Sequence, residues 1–166
     1  MKREFPKFPL VGVGGVVIHR ERVLLIRRKH EPLKGEWSLP GGLVELGEEL
    51  HQAVCRELKE ETGLEVEPLE IMAVFDRIMR VPRNPTRVRY HFVIVDYACR
   101  WKCGRIFPSS DVMDARWVRP ENLRQYNLTP LASAVISEAF KYFERERKPR
   151  RLAQRPFSLL EKTKGL

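Results

Sequence analysis

The segment 42–64, GLVELGEELHQAVCRELKEETGL, constrains this chain more than any other. It grows out of a loop, because Pro32, Gly35, Pro40, Gly41, Gly42 and Gly47 put too many breakers into 30–47 for regular structure. From Glu48 onward the spacing turns helical, with Leu50, Ala53, Val54 and Leu58 on one stripe. Gly63 stands where a left-handed residue ends a helix, so a helix is predicted over 48–62. Glu57, Glu60 and Glu61 follow one another at i, i+3 and i+4, and their carboxylates emerge on one helical face. Like charges at that spacing repel by roughly 0.2–0.5 kcal/mol per pair. A hard divalent cation, Mg2+ or Mn2+, would turn the repulsion into an all-oxygen ligand set. A solvated acidic face is the other reading of such a run, and the three glutamates alone do not choose between them.

The flanks supply a frame. Residues 11–18 (VGVGGVVI) and 23–26 are apolar and β-branched around the charged turn His19-Arg20-Glu21-Arg22, which predicts a hairpin. Stretches 66–75 and 88–98 predict two further strands joined by an Arg-rich connection over 77–89, and 116–118 predicts a short last strand. Over 129–147 Leu131, Val135, Ile136, Ala139, Phe140 and Phe143 recur at helical spacing behind Thr129-Pro130, an N-cap followed by a first-turn proline. The order β-β-α-β-β-β-α describes a mixed α/β domain whose sheet lies between helices.

With 166 residues, 43% of them hydrophobic, one core can form without disulfides or a structural metal, and 1–148 is expected to be a single domain. The net charge is +9, and 141–166 holds nine Lys and Arg against three Glu. Residues 149–166 therefore read as a basic, poorly ordered C-terminal extension, either a solvated helix end that frays or a segment that attracts nucleic acid or another polyanion. Cys55, Cys99 and Cys103 form an odd set without a histidine pair nearby, which suits a reducing, cytoplasmic setting. No apolar run is long enough to cross a membrane, and the N-terminal MKREFPKFPL lacks the apolar core of a signal peptide.

Segment 42–64 resembles the Nudix box, G-x5-E-x7-R-E-U-x-E-E-x-G-U with U a bulky aliphatic. Gly42, Glu48, Arg56, Glu57, Leu58, Glu60, Glu61, Gly63 and Leu64 meet every fixed position. The lead-in WSLPGG over 37–42 and the run ARWV over 115–118 also look like that superfamily, so the resemblance covers about residues 8–145. It implies an α/β/α sandwich with a mixed sheet, and hydrolysis of a nucleoside diphosphate linked to another moiety. Glu57, Glu60 and Glu61 would then bind the divalent cations, together with the carbonyl of Gly41 and with Asp111, for which Asp114 is the alternative. Arg56 and Glu48 would be the ion pair that orients these acids, and Glu57 the partner of the attacking water. Such chemistry suits a substrate whose own negative charge repels hydroxide, because bound cations neutralise phosphate charge and acidify water.

Arginine reads phosphate through a planar fork of donors, which makes Arg27, Arg28, Arg77 and Arg80 candidate substrate contacts. Trp37 leads the candidates for a nucleobase face, with Phe8, Phe75 and Tyr126 behind it. The runs VRYHFVIVDYACR and DARWVRPENL are most similar to the ADP-ribose pyrophosphatase branch, which implies conversion of ADP-ribose to AMP and ribose 5-phosphate. Two alternatives use the same resemblance: a sanitising pyrophosphohydrolase of modified nucleoside triphosphates, and a nucleic-acid-binding protein built on a Nudix platform. Enzymes of the ADP-ribose type are commonly dimers, so a homodimer is a further expectation.

Overall fold

A computed structural model describes residues 3–107 and 112–147. Its elements are β1 (Leu10–His19), β2 (Arg22–Arg28), β3 (Trp37–Ser38), β4 (Gly41–Leu43), α1 (Leu50–Thr62), β5 (Glu65–Val81), β6 (Asn84–Cys103), β7 (Val112–Val118) and α2 (Pro130–Arg147), with a 3-10 turn at Pro120–Tyr126. β1 is the hub of the sheet. It runs antiparallel to β2 and β4 and parallel to β6, with Leu10 opposite Phe92 and Val17 opposite Cys99. β5 closes one edge against β6, while β3 and β7 flank β2.

Strand alternation divides the hub between two cores. Val13 and Val17 of β1 and Leu24 of β2 pack under Ala53, Val54 and Leu58 of α1. Val16 and Ile18, with Val23 and Leu25, pack on the opposite face against Val135, Ile136 and Ala139 of α2. The result is the expected α/β/α sandwich around a mixed sheet. Burying each of the valine, leucine and isoleucine side chains contributes on the order of 1.5–3 kcal/mol.

α1 starts two residues later than its periodicity predicts. Glu49 is extended and its N–H is taken by the Gln52 side chain at 3.2 Å, while Glu48 is engaged with the preceding loop. Its end is as predicted: Gly63 adopts φ 75° and donates its N–H to the Lys59 carbonyl at 2.9 Å. At the head of α2 the Thr129 hydroxyl accepts the Ala132 N–H at 3.2 Å, the predicted cap.

The connection predicted over 77–89 is instead strand. β5 and β6 form one long hairpin that turns at Pro82 and Arg83, with Arg77 opposite Phe92, Met79 opposite Tyr90 and Val81 opposite Asn84. Pro82 and Pro85 mislead because they sit at the turn and the hairpin tip, where a missing N–H costs little. Likewise the loop over 30–47 contains β3 and β4, too short to show a period, and the last strand begins at Val112 rather than 116. The predicted extension 149–166 lies outside the described residues.

Candidate active site

Arg56 on α1 is the organising side chain. Its Nε and Nη2 donate to the two Glu48 carboxylate oxygens at 2.8 and 2.9 Å. Nη2 also reaches the Leu43 carbonyl at 2.9 Å, and Nη1 donates to Glu57 at 2.8 Å and touches Glu60 at 3.5 Å. One guanidinium thus ties the incoming loop to two of the three clustered acids. Glu48 in turn accepts the Glu45 N–H at 3.0 Å, which fixes the loop on its other side.

Two of the carboxylates on Arg56, Glu48 and Glu57, are shifted in opposite directions. Hydrogen bonds from Arg56 hold Glu48 down at about 2, so it is an ionised anchor at neutral pH. Burial pushes Glu57 above its ordinary value, with the Arg56 hydrogen bond opposing, which makes Glu57 the more basic of the pair. Its carboxylate lies directly against Gly42, where any Cβ would collide with it. Glu61 accepts the Gly41 N–H at 2.8 Å, so the same glycine pair seats two acids of the helix. Gly41 holds φ 149°, a conformation open to glycine.

Glu57, Glu60 and Glu61 line a small cavity together with Gly41, Gly42, Arg28 and Arg3. Three carboxylates beside a loop carbonyl suit a hard divalent cation in kind. Among the described residues, no three acidic, histidine or cysteine side chains converge on a common ion position as they stand. One Glu57 oxygen bonds Arg56, and a Glu61 oxygen bonds Gly41, so ligation would draw on the remaining oxygens and on Glu60, whose side chain is 62% exposed.

A larger cleft opens from this cavity and shares Arg3, Arg28, Gly41 and Gly42 with it. Its lining, mostly apolar with a few polar groups converging on it, is of the kind that small-molecule sites use. Gly12 and Gly14 of β1 leave its floor bare, Phe75, Phe92 and Ile94 form apolar walls, and Thr129 and Ala132 at the start of α2 close one side.

Of the predicted phosphate readers, Arg28 and Arg77 face this space and Arg27 and Arg80 do not. Strand alternation turns Arg27 outward, where its Nε donates to the Gly35 carbonyl at 3.0 Å, and Arg80 reaches the Pro85 carbonyl at 3.3 Å near the hairpin tip. Arg28 Nε is buried with no hydrogen-bond partner among the described residues, and burial lowers its pKa. Trp37 lines the cleft, edge-on to Tyr126 at 4.9 Å with the Arg116 guanidinium over it at 5.3 Å, and Phe75 lines it as well. Phe8 is 78% exposed and stands apart. Asp111 lies outside the described residues, and Asp114 is paired with Arg116 at 2.6 Å.

Sequence reasoning missed Asp96. It lies in the cleft, 4% exposed, and burial raises its pKa to about 6 against the opposing charge of Arg77. The available signal was an acid inside the apolar run HFVIVDYAC, where a charge is rarely buried without a purpose.

Comparison with known proteins shows that residues 9–140 match the model of the NUDIX domain family. A relative from Methanocaldococcus jannaschii, described as ADP-ribose pyrophosphatase, is 34% identical over 127 residues, covering 74% of this chain and 72% of that protein. The crystal structure of a MutT NUDIX hydrolase from Burkholderia pseudomallei aligns with a TM-score of 0.66 at 29% identity, covering 79% of this chain and 98% of that one. The NUDIX domain of Shewanella oneidensis NrtR, crystallised with ADP ribose, aligns with a TM-score of 0.65 at 25% identity, covering 82% and 90%.

Proposed function

The chain belongs to the NUDIX family, a family of hydrolases that generally work with divalent metal ions, and from that premise we propose that it splits ADP-ribose into AMP and ribose 5-phosphate with Mg2+ or Mn2+. The observation that carries this reading is continuity. The acids on α1 open through Arg28, Gly41 and Gly42 into an open, largely apolar cleft, so a diphosphate can lie against the acids while its organic part packs along the cleft walls. The ADP-ribose named for the archaeal relative and bound to the NrtR domain supports the choice of substrate.

Each side chain has a distinct task in this reading. Glu57, Glu60 and Glu61 would hold the cation, with Gly41 offering its carbonyl. When bound, the ion neutralises charge on the diphosphate and lowers the pKa of water. Glu57 receives the proton of the attacking water. Arg56 holds Glu57 in place and Glu48 holds Arg56. Arg28 would present to a phosphate oxygen the Nε–H that has no partner among the described residues. Water oxygen adds to one phosphorus, the bridging P–O bond breaks, and the released oxygen stays on the other phosphate. Cys55, Cys99 and Cys103 are free thiols, in keeping with a reducing, cytoplasmic setting.

The test is a panel assay of purified protein with ADP-ribose, NADH, diadenosine polyphosphates and normal or oxidised nucleoside triphosphates. Preferential release of AMP from ADP-ribose, abolished by chelator and restored by Mg2+ or Mn2+, is the expected result. Release of pyrophosphate from a triphosphate would overturn the substrate, and turnover that survives chelation would overturn the mechanism.

A further inference from the structure

The β6 side chains that face the cleft, Phe92, Ile94 and Asp96, are apolar except for the last. No donor among the described residues hydrogen-bonds to the Asp96 carboxylate, and Arg77 is the charge that acts on it. A carboxylate buried on these terms is costly, and the surrounding packing gains nothing from it. Such a group is retained where a ligand completes it.

Its position limits which part of a ligand that is. Gly41, Gly14 and Asp96 occupy one rung across β4, β1 and β6. The Asp96 carboxylate leans back along this rung over Gly14, where any Cβ would collide with it. With neighbouring strands about 4.8 Å apart, the carboxylate stands roughly one strand spacing from Gly41, the residue bonded to Glu61. When a diphosphate is seated against the α1 acids, the group at that distance is the sugar joined to it, and a nucleobase lies a whole sugar further out. The donors a sugar offers are hydroxyls, and the two carboxylate oxygens can accept an adjacent pair.

We propose that Asp96 is a specificity-determining residue that accepts the hydroxyls of the phosphate-bearing ribose, so that the cleft selects ribose over deoxyribose. This rests on the cleft being the nucleotide site. Gly14 belongs to the same device, because its missing side chain gives the carboxylate its place.

The test is calorimetric titration of the full chain, in chelator, with two pairs of ligands: AMP against 2′-deoxy-AMP, and ribose 5-phosphate against 2-deoxyribose 5-phosphate. The wild type should favour the ribose member of at least one pair by about tenfold or more, as expected for a hydrogen bond to a charged acceptor. Asp96→Ala should bring that ratio close to one, and Asp96→Asn, which keeps one acceptor oxygen, should leave a reduced preference. No ribose preference in the wild type, or an undiminished one in Asp96→Ala, overturns the proposal. If Asp96→Ala does not fold, Asp96→Asn decides, and a ratio equal to the wild type's overturns it. Hydrolysis of a substrate other than ADP-ribose would sink the proposed activity and leave this inference standing, because the titration involves neither turnover nor metal.

Discussion

Among single residues, Arg56 carries more of the site than any acid it holds. Lysine at this position would keep the charge and lose the fork that grips Glu48 through both oxygens while reaching Glu57. Arg56→Lys should lower kcat by about 10²-fold or more, because the carboxylate that meets water is no longer held in place. Glu60→Gln and Glu61→Gln should cut turnover by orders of magnitude with the far-UV spectrum unchanged, since glutamine at 61 still accepts the Gly41 N–H. Near-normal turnover in both would remove them from the metal set. The Glu48 anchor gives a pH signature. Its folded pKa of about 2 lies below its ordinary 4.5, so its stabilising contribution is complete above 4.5 and disappears as pH falls toward 2. Denaturant melts of the wild type and Glu48→Gln should therefore converge across that window, and a constant gap would refute the linkage. The box residues were legible because they share one helix and its entry loop, so spacing alone sets their geometry. Asp96 and the outward turn of Arg27 depend on the register and alternation of strands, which one-dimensional spacing does not encode.

At the scale of elements, two glycines separate stability from activity. A Cβ on Gly15 would stand 2.7 and 2.9 Å from the Leu58 methyls and 3.3 Å from Cys99 Sγ, at the seam where α1 lies on β1. Gly15→Ala should cost about 1–3 kcal/mol in a denaturant melt, the usual penalty for overpacking. At Gly42 the three atoms nearest a Cβ all belong to the Glu57 carboxylate, so Gly42→Ala should cost less in the melt than Gly15→Ala while kcat falls because the carboxylate is displaced. Equal stability losses in the two variants would contradict this division. Elements with a clear period or cap were readable: the first hairpin, α1 and α2 lie close to where the spacing puts them. The β5–β6 ladder was not, because its strands pass through arginines and prolines whose tolerance comes from exposure at a sheet edge. The short strands β3 and β4 owe their existence to β2 and β1, with no pattern of their own.

For the molecule as a whole, we propose a domain boundary at 148, a few residues beyond the NUDIX match over 9–140. Truncation after residue 148 should leave thermal unfolding and hydrolysis unchanged and should remove any affinity for RNA, measured by fluorescence anisotropy. Loss of hydrolysis would move the boundary outward. β1, for its part, dictates the order in which the molecule can come into being. Two of its partners, β2 and β4, follow closely in the chain, but Leu10 must wait for Phe92. A nascent chain therefore holds an uncharged, apolar strand with one open edge until most of the domain has left the ribosome, the interval in which self-association is easiest. Gly12, Gly14 and Gly15 weaken that strand's appetite for stray pairing. The same bare backbone that makes room for a ligand in the finished protein thus tempers the hazard of making it.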